Sequence, residues 1–247
     1  LQQASKIICE SHHEAILLKL PRSMQTRLTW LEEGLPYQEF VRDLKASGDV
    51  PEPFNAWEYY AQPILKSLPR LRQKESETQI YCYENPSYVS LSTELAVRVA
   101  RLTFRAVAGS GLELEDWRKL LKEDIQISKE TGIDEVDYIG SIVDKHNDVL
   151  CVMGLYAESY GKVLEKRGFD VKYRYLDLPY QLLPLEALKA EFERQEGELS
   201  EERIREFVRY HAEYIREFVL RYRTLDDAYF KWKNKHRNLT SQLDIPS

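Results

Sequence analysis

The chain reads as an α/β protein: a mostly parallel sheet of at least four strands flanked by helices, followed by a C-terminal long-helix appendage. Three observations predict this. Short apolar, β-prone runs at 6–10, 78–84, 148–153 and 170–176 alternate with helical spacing, the pattern of strands joined by crossover helices. The stretch from Asp148 to Leu176 is by itself a strand, a helix and a strand, the right-handed parallel unit of α/β folds. Beyond Pro179 and Pro184 the composition turns helical and charged, which divides an α/β domain, 1–180, from a helical hairpin or arm, 181–247.

Taken in order, Ile7-Ile8-Cys9 is an apolar run that ends in Glu10, His12, His13 and Glu14. Ala15–Leu20 reads as one or two helical turns stopped at Pro21. Helical spacing follows through Leu28, Leu31, Phe40, Val41 and Leu44, broken near Gly34-Leu35-Pro36. Residues 47–56 carry loop chemistry, and Trp57–Leu71 reads as a helix made irregular by Pro63 and Pro69. The strand Thr78–Glu84 repeats the opening design, apolar then glutamate, and Pro86 turns the chain out of it. Ser92–Ala108 is a helix ended by Gly109-Ser110-Gly111, a C-terminal stop with no phosphate-loop context. Two helices follow, Leu114–Lys129 closed by Gly132 and Asp134–His146, then the strand Asp148–Met153, a helix Tyr156–Lys166 and a strand Asp170–Leu176 ending at Asp177.

In the C-terminal part, Ser200 can cap a long helix with Glu201 and Glu202 in its first turn. Ile204, Val208, His211, Ile215, Phe218, Tyr222, Leu225 and Tyr229 then alternate at spacings of four and three, a heptad seam. Such a seam packs either on its own domain or on a second copy, which makes residues 200–230 the candidate homodimer interface.

Composition narrows the functions. Apolar residues make up 43% of the 247, enough for a core. The net charge of −6 and pI near 5.6 argue against general nucleic-acid or anionic-membrane binding. No apolar run reaches the length of a membrane span, and the start carries no signal-peptide pattern. Cys9, Cys82 and Cys151 each fall in an apolar run without C-x-x-C spacing, which predicts core thiols in neighbouring strands of a reduced, cytoplasmic protein.

The candidate site lies at the acidic strand ends. If the strands are parallel neighbours, Glu10, Glu84 and Asp177 converge on the rim where α/β folds place ligands, with His12 and His13 beside Glu10. Glu10, Glu84, His12 and His13 are the candidate catalytic residues, as general acids and bases. Glu10, His12 and Glu84 are the candidate ligands of a divalent metal, the only cofactor the pattern suggests. No G-x-S-x-G elbow is present.

The stretch Ile133–Asp177 (I-D-E-V-D-Y-I-G-S-I-V-D-K-H-N-D-V-L-C-V-M-G and on to Y-R-Y-L-D) resembles the last part of the TraB/ChaN/erythromycin-esterase-like superfamily. The opening I-I-C-E-S-H-H is similar to a strand of that group ending in glutamate. The resemblance implies an α/β fold with an acidic, histidine-rich rim and metal-dependent or esterase chemistry. At the turn after Gly154, Ala157 stands where that superfamily has histidine, and Glu158 is the nearest ionisable group. Two functions follow: a hydrolase-like enzyme, or a catalytically inactive relative acting as an assembly module through its heptad helix.

Overall fold

The computed structural model describes residues 2–50, 53–72, 77–154, 157–176 and 180–236. It is 66% helical, and the described residues form one sheet of three strands, all parallel, so the sheet of four or more strands expected from the sequence is corrected. In chain order the elements are α1 (Gln2–Cys9), β1 (Ala15–Pro21), a 3-10 turn (Arg22–Met24), α2 (Gln25–Glu32), α3 (Tyr37–Ser47), α4 (Phe54–Leu65) and α5 (Leu68–Arg72). Then come β2 (Gln79–Glu84), α6 (Ser87–Val107), α7 (Leu114–Val143), β3 (Val149–Val152), α8 (Ala157–Lys166), α9 (Pro184–Arg194), α10 (Glu201–Tyr214), a π turn (Ile215–Val219) and α11 (Leu225–Lys235). The chain divides into two compact units, Leu1–Glu94 with Ile127–Leu176, and Leu95–Gln126 with Asp177–Ser247. The second unit thus takes in 95–126 as well as the C-terminal helices, and the boundaries fall inside α6 and α7.

In the first unit the sheet order is β2-β1-β3, with Ile16 opposite Ile80 and Leu150, and Leu18 opposite Cys82 and Val152. The central strand is therefore Ala15–Pro21, which sequence reasoning read as helical turns. A central parallel strand is buried on both faces and reads as an unbroken apolar run; of its seven residues only Lys19 is exposed. The run at 6–10 that looked like the first strand is instead the end of α1, through Cys9, and the residue after it; Ala4 and Ile8, four apart, are buried on one helical face. Short apolar runs cannot be told apart by periodicity alone.

Pleat alternation sorts the two faces of the sheet. Ile16, Leu18, Ile80 and Cys82 face α1 to α5, in a core with Leu28, Phe40, Leu65 and Leu68. Ala15, Leu17 and Tyr83 face α7 and α8, in a second core with Val136, Ile139, Ile142 and Leu164. The first unit is accordingly three-layered. Its edge strand β2 is covered by the Gln25 side chain, whose amide donates to Ile80 O (2.8 Å) and accepts from Cys82 N (2.8 Å). One glutamine thereby takes the place of a neighbouring strand.

Two further expectations are corrected. Gly132 does not close a helix; α7 runs through it for 30 residues. A Cβ there would sit 3.1 Å from the Tyr160 hydroxyl, so glycine lets α8 approach α7 closely. Residues 170–176 form no strand: Tyr173 and Tyr175 stack on each other, and their hydroxyls donate to Glu165 (3.5 Å) and Glu158 (2.6 Å). Asp177, expected at the end of that strand, lies outside the described residues.

In the second unit α9 packs on α10, and Ser200 caps α10 by accepting from Arg203 N (3.2 Å), as its sequence suggests. Glu191 binds Arg203 through both carboxylate oxygens (2.9–3.2 Å). The long heptad helix is not continuous. It passes into the π turn, breaks over Leu220–Thr224 and restarts at α11 under a Thr224 cap. Its seam residues Ile204, Val208, His211 and Phe218 are buried inside the unit, and Ile215 is half-buried. Of the two packings the seam allows, on its own domain or on a second copy, the first is the one seen over this part, where its own chain covers it.

His211 is a polar member of that core. Its Nε2 is 3.0 Å from the Thr103 hydroxyl and its ring meets Trp117 edge-on. Burial pushes the imidazole down to about 4.

Candidate functional site

A hydrogen-bonded polar cluster lies at the carboxyl ends of the strands of the first unit. The chain leaves β1 toward the face of α2, since Met24 and Leu28 belong to that core. After β3 it enters α8, whose Leu164 belongs to the opposite core. Adjacent parallel strands whose continuations part to opposite faces make a switch point, where open α/β sheets bind ligands.

Glu84 ends β2, opposite Pro21 of β1, across an irregularity in the register after Leu18. Its carboxyl is buried and pushed up to about 7, chiefly by burial; Lys19 opposes the rise and Glu135 adds to it. Burial favours the uncharged acid, and a second carboxylate nearby penalises ionising both. Glu135, from α7, is itself buried and held on both oxygens: Asn85 N donates to Oε1 (3.2 Å) and the Tyr160 hydroxyl to Oε2 (2.7 Å). Asn85 Nδ2 donates to Asp134 Oδ2 (2.9 Å), and Asp134 also pairs with Arg22, just beyond β1. Arg22 lies over the Tyr138 ring, 5.0 Å from its centre. Underneath, the Tyr83 hydroxyl donates to Val152 O (3.2 Å), tying β2 to β3.

Each element has a reason to deliver its residue here. Asn85 Oδ1 accepts from Ser87 N (2.9 Å), which fixes the turn between β2 and α6. Glu135 shares a helix face with Ile139 and Ile142, so packing α7 on the sheet carries the carboxylate inward. A cleft of about 510 Å³ opens at the same end of the sheet, lined by Ser23 after β1 and by Pro86, Ser90, Thr93 and Glu94 after β2, with Asp49 and Val50 opposite.

Of the described residues named from the sequence, only Glu84 belongs to this cluster. Glu10 is exposed at the C-terminal end of α1, not at a strand end, and His12 is exposed in the following loop. His13 Nδ1 is hydrogen-bonded to Ser11 Oγ (2.7 Å), with its Nε2 3.8 Å from Asp148. These residues precede β1 and therefore sit at the amino end of the sheet. Six residue steps of β1 separate the two ends, about 20 Å.

At that amino end Glu14 accepts from Asn147 N (2.9 Å) and Nδ2 (3.3 Å), bonds that hold its carboxyl low, and His146 Nε2 is 3.1 Å from the Tyr81 hydroxyl. Glu10, His12 and Glu84 cannot share an ion across that distance. Among the described residues no group of three or more His, Cys, Asp or Glu is arranged to hold a metal.

Sequence reasoning missed Glu135, Tyr160 and Lys19. One signal was present: a glutamate four and seven positions before Ile139 and Ile142, on the apolar face of its helix. The cysteines are free, as their spacing suggests, but only Cys82 and Cys151 lie on strands, separated by β1, whereas Cys9 is helical. No helix among the described residues is long and apolar enough to cross a membrane. Comparison with protein-family models, with curated proteins and with solved structures finds no match to this chain.

Proposed function

We propose that the chain is a hydrolase-like enzyme whose general acid–base is Glu84, at the carboxyl end of the sheet. One observation carries the reading: a buried carboxyl at a switch point, beside a second carboxylate that Tyr160 and Asn85 already hold in place. An acid poised near neutrality can both accept and return a proton at working pH. In a hydrolytic cycle Glu84 takes a proton from the attacking water and delivers it to the leaving group as the scissile bond breaks. Glu135 favours the protonated form of Glu84, and Lys19 opposes it. The cleft at the same end of the sheet, whose lining begins two residues after Glu84 at Pro86, offers hydroxyls from Ser23, Ser90 and Thr93 to a bound small molecule. The free thiols suit a reducing, cytoplasmic setting.

The test is turnover of aryl esters, aryl phosphates and aryl glycosides by the wild type and by Glu84→Gln across pH. The expected result is hydrolysis of at least one class, with kcat/KM inflecting near pH 7 and falling by about 10²- to 10⁴-fold in the variant. Full activity in Glu84→Gln, or no turnover of any class, overturns the reading.

A further inference from the structure

A second cleft, of about 470 Å³, opens in the second unit between α10 with its π turn, Lys235 of α11, and the apolar Ala106 and Leu112. Its charged lining is uneven in its commitments. Glu213 is engaged by Lys235 (2.5 Å) and His236 (3.6 Å), and Glu217 by Arg216 (2.9 Å) and Arg221 (2.7 Å). Among the described residues Arg209 is the lining cation that has no carboxylate. It is exposed and stands two turns before Arg216, on the same side of the helix.

Arg216 holds only its immediate neighbour in sequence, and exposed pairs of this kind contribute about 0–1 kcal/mol, so an incoming anion competes with it easily. A cation would instead have to displace Lys235 and His236 from Glu213, or two arginines from Glu217. The backbone beside the cleft is a π turn, a distortion found frequently at functional sites.

We propose that this cleft binds a small amphipathic anion, a carboxylate or a phosphate monoester. Its headgroup lies on Arg209 in the field of Arg216, and its apolar body lies over Ala106, Leu112 and Ala212. The site is independent of Glu84, which belongs to the other unit.

Isothermal titration with phenyl phosphate, hexanoate and choline tests it on the wild type, Arg209→Ala, Arg209→Lys and Glu84→Gln. At least one of the two anions is expected to bind, and which one identifies the headgroup. Arg209→Ala should weaken that binding by about tenfold, the loss of one charge-assisted contact, with part of it kept by Arg209→Lys. Glu84→Gln should bind as the wild type does, and the affinity should fall as salt rises. Unchanged affinity in Arg209→Ala, binding of choline in place of the anions, or no heat from either anion at about 10 mM overturns the proposal.

Discussion

A carboxyl group buried at a strand end is easier to keep protonated than to ionise, and Glu84 bears this conflict at every pH above its ordinary value. Its folded value of about 7 exceeds the usual 4.5. Any help it gives the fold is therefore complete below pH 4.5 and lost as pH rises through 7. A shift of this size corresponds to on the order of 3 kcal/mol, the penalty for holding the ionised form in place. Glu84→Gln should consequently stabilise the protein by about 1–3 kcal/mol at pH 8 and much less at pH 4.5, read from urea unfolding at both values. A variant that gains stability while losing turnover would fit a site kept at the expense of the fold. The residue was legible because an apolar β-prone run ends in it. Its surroundings were not, since Glu135, which raises it further, and Tyr160, which holds Glu135, lie 51 and 76 positions further along the chain and come together only when α7 and α8 cover the sheet.

Among the elements, β2 and β3 were readable because turn chemistry or charge bounds their apolar runs, and the structure moves their limits by one residue. The central strand was missed for a physical reason. Ala-Ile-Leu-Leu has no alternation to reveal and is rich in helix-favouring residues, and only burial on both faces makes it extended. The stretch 170–176 shows the converse: alternation without a partner, because its tyrosines are bound to glutamates of α8. The edge of β2 yields a test of how the sheet is finished. Gln25→Leu keeps nearly the same bulk but strands Ile80 C=O and Cys82 N–H. The expected loss is about 1–3 kcal/mol in urea unfolding, together with greater aggregation of the native protein in light scattering. Stability equal to the wild type would mean that water satisfies these groups equally well.

For the whole molecule, the two units carry buried titrating groups of opposite sign. His211, depressed to about 4 from 6.5, contributes stability that is complete above pH 6.5 and lost as pH falls through 4, whereas Glu84 weakens the first unit as pH rises. Acidification from pH 7 to 4.5 should therefore destabilise the second unit through His211 while relieving the first. In a Trp30→Phe, Trp57→Phe background, tryptophan emission, excited selectively over that of the tyrosines, comes only from Trp117 and Trp232 of the second unit. Adding His211→Gln there should shrink the loss of stability between pH 6.5 and 4 by up to about 3 kcal/mol; an unaltered pH slope would show that the imidazole stays accessible to protons. The α/β character and the helical end were legible from composition and punctuation. The interleaving of the units was not, because α6 and α7 cross the boundary without any break in pattern. That interleaving bears on how the protein is made. Strand β1 lies between β2 and β3, yet β3 begins 65 residues after β2 ends, beyond the whole segment 95–126. At synthesis rates of about 5–20 residues per second, a nascent chain waits roughly 3–13 seconds with one side of its central strand unpaired. During that interval an apolar edge is open to chaperones or to other nascent chains, so the risk of misassembly falls before the last strand has left the ribosome.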